Sequence, residues 1–204
     1  MGALKKSKAA AKKAAQNAAA RTPAAPEPAF DLQTAFSAAV DRMHAGSVKE
    51  AAATFAKCFI QLQKALAGQT EGPDAQQRAI PIKGVMYECM VYRAACLQAT
   101  HHFPSCVEAR LNLVRAVELA EALEDPVRQG QALDLLASAE GRIHLDESRM
   151  VVAEKLRELA ARADLPTTLQ VAAPMHKAAS LGALGRFSEA LAELEAVYPA
   201  AEAP

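Results

Sequence analysis

The chain has 204 residues, with 23 lysines and arginines against 23 aspartates and glutamates, 51% apolar residues, 4% aromatics and no tryptophan. This is enough chain for one compact domain with its own core, and its alanine- and leucine-rich composition favours closely packed helices over a sheet built on β-branched and aromatic residues. No apolar run reaches the roughly 18 residues needed to span a bilayer, and residues 1–26 contain no apolar segment of a secretory signal. Four cysteines without framework spacing then read as reduced thiols of an intracellular protein.

Charge is unevenly placed along the chain. Residues 1–26 hold Lys5, Lys6, Lys8, Lys12, Lys13 and Arg21 and no acidic residue, which leaves 17 basic against 23 acidic side chains in the remainder. A disordered Ala/Lys-rich tail with a proline-rich linker over 1–30, a helical body over 31–199 and a disordered end over 200–204 is the expected organisation. The tail offers an anionic-surface or nucleic-acid tether through lysine–phosphate contacts, or a solubilising extension. Its lysines also suit nuclear or organellar import, although cytoplasm is the first expectation, and Lys6 stands where a myristoylation signal needs serine or threonine.

From Asp31 the chain reads as helix after helix. Asp31 caps the first, whose face is Leu32, Phe36, Val40 and Met43, and Ala45-Gly46 turns into a second. Ser47 with Glu50 forms a capping box for that second helix, which carries Ala51, Phe55, Phe59 and Leu62. After a polar loop to about residue 77, Pro81 suits the first turn of a third helix reaching His102. Ser105 with Glu108 caps a fourth helix ending near Asp125, and Asp125-Pro126 opens a fifth with Ala132, Leu135, Leu136, Ala139 and Ile143 on its stripe. Asp146 starts a sixth with Val152, Leu156, Leu159 and Ala163. Thr167 with Gln170 caps a seventh, and Gly185 separates it from an eighth over Phe187–Tyr198. The sum is four helix hairpins.

One stretch invites a chemical reading: CMVYRAACLQATHHFPSC, residues 89–106, holds three of the four cysteines and two adjacent histidines. Ile82, Val85, Cys89, Tyr92, Cys96, Ala99 and Phe103 recur at steps of three and four, so the cysteines belong to a buried stripe. Seven residues of helix separate Cys89 from Cys96 by about 10 Å, whereas thiolates sharing a zinc must lie within about 4 Å. His101, His102 and Cys106 lack a fourth ligand and any CxxC or HxxxH spacing, and His44 and His144 fall beside inter-helix turns. No phosphate-cradling glycine loop, nucleophile elbow or HExxH pair is present. The carboxylates of DESRMVVAEKLREL and LAELEA have helical spacing and basic or apolar neighbours, which suits solvated faces. No catalytic residue, metal or cofactor is assigned.

The segment AASLGALGRFSEALAELEAVYP resembles a tetratricopeptide repeat: Ala178 and Leu181 on one helix, Gly185-Arg186-Phe187 at the turn, Ala190 and Leu194 on the next, and Pro199 closing. Ala39, Gly46-Ser47-Val48, Ala51, Phe55 and Cys58 look similar. Inter-helix turns near Gly46, Phe103, His144 and Gly185 are 57, 41 and 41 residues apart, against 34 in the family. The resemblance implies an all-α, TPR-like α-solenoid of about four antiparallel hairpins. Separately, AFSAAVDRMHAGSVKEAAATFAKCFIQL followed by YECMVYR resembles the C-terminal helical domain of the coatomer alpha subunit, a vesicle-coat component.

Stacked hairpins present the first helix of each pair on one concave surface, and such proteins hold a peptide, a helix or a subunit there. The implied role is a non-catalytic interaction scaffold or adaptor subunit. The positions where chaperone-binding relatives carry a carboxylate clamp hold Met175, Ala179 and Ala183 in the last hairpin and Phe36 and Val40 in the first. An apolar partner surface that includes Phe36, Val40, Met43, Met175 and Ala179 is expected instead.

Overall fold

The protein was analysed as a computed structural model that describes residues 30–69, 72 and 74–197. The chain divides at Asp31/Leu32 into two units, of which the first is described only at Phe30 and Asp31. The six basic residues of the tail, the end at 200–204, and Tyr198 and Pro199 therefore lie outside the described residues.

Within the second unit the described residues form eight helices and no strand: α1 (Leu32–His44), α2 (Val48–Ala67), α3 (Ala75–Ala99), α4 (Phe103–Glu121), α5 (Pro126–Arg142), α6 (Asp146–Arg162), α7 (Thr167–Ala183) and α8 (Phe187–Glu195). Each packs on its chain neighbours, and consecutive helices run antiparallel. The odd-numbered helices also touch one another. Phe36 of α1 meets Tyr92 of α3 at 5.9 Å between ring centroids, and the Tyr87 hydroxyl of α3 donates to the Arg128 carbonyl of α5 at 2.9 Å. His176 of α7 meets Asp134 of α5 at 2.7 Å. Helices α1, α3, α5 and α7 thus form one row and their partners a second, which is a stack of four hairpins.

Local chemistry explains the turns only in part. Gly46 and Gly185 adopt φ of +82° and +74°, where a side chain is strained, and each follows the first helix of a hairpin. The equivalent positions of the middle hairpins hold His101 and His144, at φ of 53° and 58°. Asp125 caps α5 as expected, its Oδ1 accepting from the Arg128 amide at 2.9 Å.

The other capping expectations need correction. Ser47 makes no capping bond, and α4 begins at Phe103, so Ser105 lies in its first turn while Glu108 pairs with Arg93 of α3. Thr167 is the first residue of α7 rather than its cap, and Gln170 donates to the Leu165 carbonyl at 2.7 Å. Helix α3 starts at Ala75, so Pro81 is interior. Its ring lies on the exposed side, where water can satisfy the carbonyl it leaves unpaired.

The core is a column of small and medium side chains. Ala39, Ala51, Phe55 and Cys58 are fully buried in the first hairpin, as the resemblance implies, and Phe36, Phe55 and Tyr92 join into one ring cluster. Val152, Leu156 and Leu159 of α6, Ala132, Leu136 and Ala139 of α5 and Ile143 just beyond it are buried as expected, whereas Leu135 and Ala163 of the same expected stripes are only half-buried at the edge of the core. The α3 stripe is different: Cys89 and Cys96 are buried, but Val85, Ala99 and Phe103 are exposed, and burial reaches instead to Met86, Tyr87, Met90, Ala94 and Leu97. Helix α3 is enclosed on several sides by α1, α2, α4 and α5, so no single stripe describes it.

Candidate functional site

The four cysteines are free and buried. Burial pushes the Cys89 thiol up to about 12, with Cys58 and Glu88 adding to it, and burial likewise raises Cys58 and Cys96. These thiols are held protonated, the form that neither attacks nor ligates. Cys106 is buried while His101 and His102 point to solvent, so the opening of α4 does not assemble them. Among the described residues no group of three His, Cys, Asp or Glu is placed to hold a metal.

A buried polar arrangement joins α4, α5, α6 and α7. The His176 ring is tied at both nitrogens, to Arg149 Nη2 at 3.0 Å and to Asp134 Oδ1 at 2.7 Å. A guanidinium can only donate, so Nδ1 accepts and Nε2 carries the proton toward Asp134. Neither nitrogen is left to act as a base. Glu140, buried at 1% exposure, accepts at Oε1 from Arg110 Nε and Ser148 Oγ, each at 2.8 Å. Burial lowers the Arg149 pKa, and its guanidinium packs where a Cβ on Gly141 would lie, 2.8 Å away. These groups fasten helices together.

The expected partner residues fall into two sets. Phe36, Val40 and Met43 are half-buried against the main core, with Phe36 edge-on to Phe55 at 5.4 Å. Met175 and Ala179 stand exposed one turn apart on α7. Helices α3 and α5 lie between the two sets, so they form no common patch.

The row of first helices offers a different feature. Two hollows, of about 310 and 260 Å³, lie along the seam of α3 and α5 and share Val91 and Leu135. The first also meets Tyr87, Glu88, Tyr92, Gln131 and Asp134, and the second Ala94, Ala95, Gln98, Ala99, His101, Leu113 and Arg142. Residue numbers rise together on the two walls, as parallel helices require. Nothing in the sequence marks this seam, because Val91 and Leu135 lie 44 residues apart and become neighbours only through stacking.

A second uncovered surface is α8, where Phe187, Leu191 and Leu194 follow one face and are 71%, 57% and 46% exposed. Phe103, at the equivalent first position of α4, is likewise 60% exposed.

Known proteins add little to this picture. No family model matches the chain, and no curated protein matches it. Among solved structures it is similar to a Podosopora anserina crystal structure described as kinesin light chain nearly identical TPR-like repeats, at 18% identity and a TM-score of 0.38, over 83% of this chain and 94% of that one. The superposition is loose, and the hairpin stack rests on the contacts given above. No helix among the described residues is long and apolar enough to cross a membrane.

Proposed function

We propose that the protein is a non-catalytic interaction scaffold that holds a segment of another protein on its row of first helices. The single observation that carries this reading is the open, partly apolar seam between α3 and α5, lined by Val91, Tyr92 and Leu135. Apolar surface at the floor of a groove with a few polar groups at its edges is the usual composition of a recognition site. Phe36, Val40 and Met43 on α1 and Met175 and Ala179 on α7, the terminal first helices of the row, are kept in this reading as separate contacts of a longer partner. The likeness of residues 35–62 and 87–93 to the coatomer alpha subunit makes a vesicle-coat module one particular form of this role, supported by those residues alone.

The lysine-rich tail supplies the competing reading, a tether to nucleic acid or anionic lipid, supported by six basic and no acidic side chains in residues 1–26. Cross-linking and mass spectrometry of the full chain with its stoichiometric partner decide between the two. Cross-links on α1, α3, α5 or α7, retained by residues 27–204, are the expected result. A partner held by the isolated tail and lost by residues 27–204 replaces the scaffold with the tether.

A further inference from the structure

The α3–α5 seam carries more than apolar surface. Arg142 is exposed at one end, beside His101, and makes no hydrogen bond or ion pair among the described residues. Most other arginines on these helices are already engaged: Arg93 with Glu108, Arg110 with Glu140, Arg128 with Asp125 and Glu88. The opposite end is acidic. Glu88 and Asp134 line it, Glu88 meeting Arg128 only at 3.7 Å and Asp134 using one oxygen on His176. Between these ends lie Val91 and Leu135, and beside them two primary amides, Gln98 and Gln131, whose side chains bond nothing among the described residues.

We infer that the seam binds an extended peptide segment carrying a basic, an apolar and an acidic side chain at alternate positions, with the acidic side chain on Arg142 and the apolar one between Val91 and Leu135. The inference rests on the scaffold reading and names its ligand class. Three features select it. The free amides can bond main-chain N–H and C=O groups, which an extended segment leaves open and a helix satisfies internally. Hollows of about 310 and 260 Å³ each take a side chain or two, rather than the flank of a helix about 10 Å across. The length also agrees. Glu88 to Gln98 on α3 spans about 15 Å at 1.5 Å per residue, and in an extended chain positions one, three and five share a face and cover about 13 Å. An unpaired guanidinium beside a low-dielectric wall donates directional hydrogen bonds to a carboxylate.

The test is selection of a displayed random dodecapeptide library on the full chain, followed by fluorescence anisotropy of the enriched peptides. Enriched sequences should carry basic, apolar and acidic residues at every second position. Arg142→Glu should weaken their binding at least tenfold while leaving circular dichroism unchanged, and exchanging the peptide's acidic residue for lysine should restore binding to that variant. Gln98→Ala with Gln131→Ala should weaken all of these peptides several-fold regardless of charge. Peptides that bind Arg142→Glu within twofold of wild type, or that bind as helices, overturn the inference and leave the scaffold reading intact. If no sequence is enriched the seam is not a peptide site, and the cross-linking experiment alone then decides the scaffold reading.

Discussion

The start of the stack, α1 to α3, and its end, α5 to α8, are held together by different chemistry. In α1 to α3 the joints are rings, thiols and thioethers: Phe36, Phe55 and Tyr92 in mutual contact, then Cys58, Phe59, Met86, Cys89 and Met90 behind them. In α5 to α8 charged side chains cross between helices: Asp134 to His176 to Arg149, and Glu193 to both Arg157 and Lys177, the latter at 2.7 Å. A ring cluster tolerates small shifts of its members, since dispersion is non-directional. A charge chain fixes each helix at one height against the next. The stack is thus loosely registered at its start and closely registered at its end.

Three substitutions break or sharpen this contrast, the largest effect first. Phe55→Ala removes the central ring and leaves a cavity against Phe36 and Tyr92. A loss of about 3–5 kcal/mol is expected, visible as a fall in Tm on the order of 10 °C. A fall of only a degree or two in a thermal melt means the cluster does not hold the first hairpins.

Arg110→Ala comes next, leaving buried Glu140 with Ser148 as its sole partner. A cost of about 3 kcal/mol is expected in urea unfolding, and Arg110→Met combined with Glu140→Leu should recover most of it, because two apolar side chains leave no charge to desolvate. If the double variant is worse than the single, the pair contributes attraction beyond what its burial costs.

Glu193 gives the smallest effect and the one with a sign in pH. Burial pushes its carboxyl up, but hydrogen bonds from Lys177 and Arg157 outweigh this and hold it below the ordinary carboxylate value. A lowered folded-state pKa contributes stability above the unfolded pKa of about 4.3, and that contribution is lost as pH falls through the folded value. Glu193→Gln should therefore cost at most about 1 kcal/mol at pH 7, and its Tm deficit should close as pH drops below about 4. A deficit equal at pH 7 and pH 3 means that shape, not charge, links α7 to α8.

Glu193 also shows where sequence reading stops. LAELEA has the spacing of a solvated face, and Glu195 and Leu191 are indeed exposed, yet Glu193 is drawn into a cluster with α6 and α7. Its partner Arg157 is 36 residues away, and Asp134 and His176 are 42 apart. No local period encodes such pairs. Phe187, which stands as the turn aromatic of a repeat, is mostly exposed.

Hydrophobic period, glycine turns and Asp125-Pro126 were enough to foretell eight helices and their pairing, because helix formation and hairpin reversal depend on neighbours three to five residues away. The buried stripes of α2, α5 and α6 were legible for the same reason. Where α3 begins, which of its sides are covered, how Glu140 and His176 are satisfied, and the seam that Val91, Leu135, Gln98, Gln131 and Arg142 share were decided by stacking alone. The Arg110–Glu140 and Asp134–His176 bonds and the Val91–Leu135 seam each join residues 30 or more apart whose helices meet at one height. That height is set by the packing of whole helices, not by any residue's own preference.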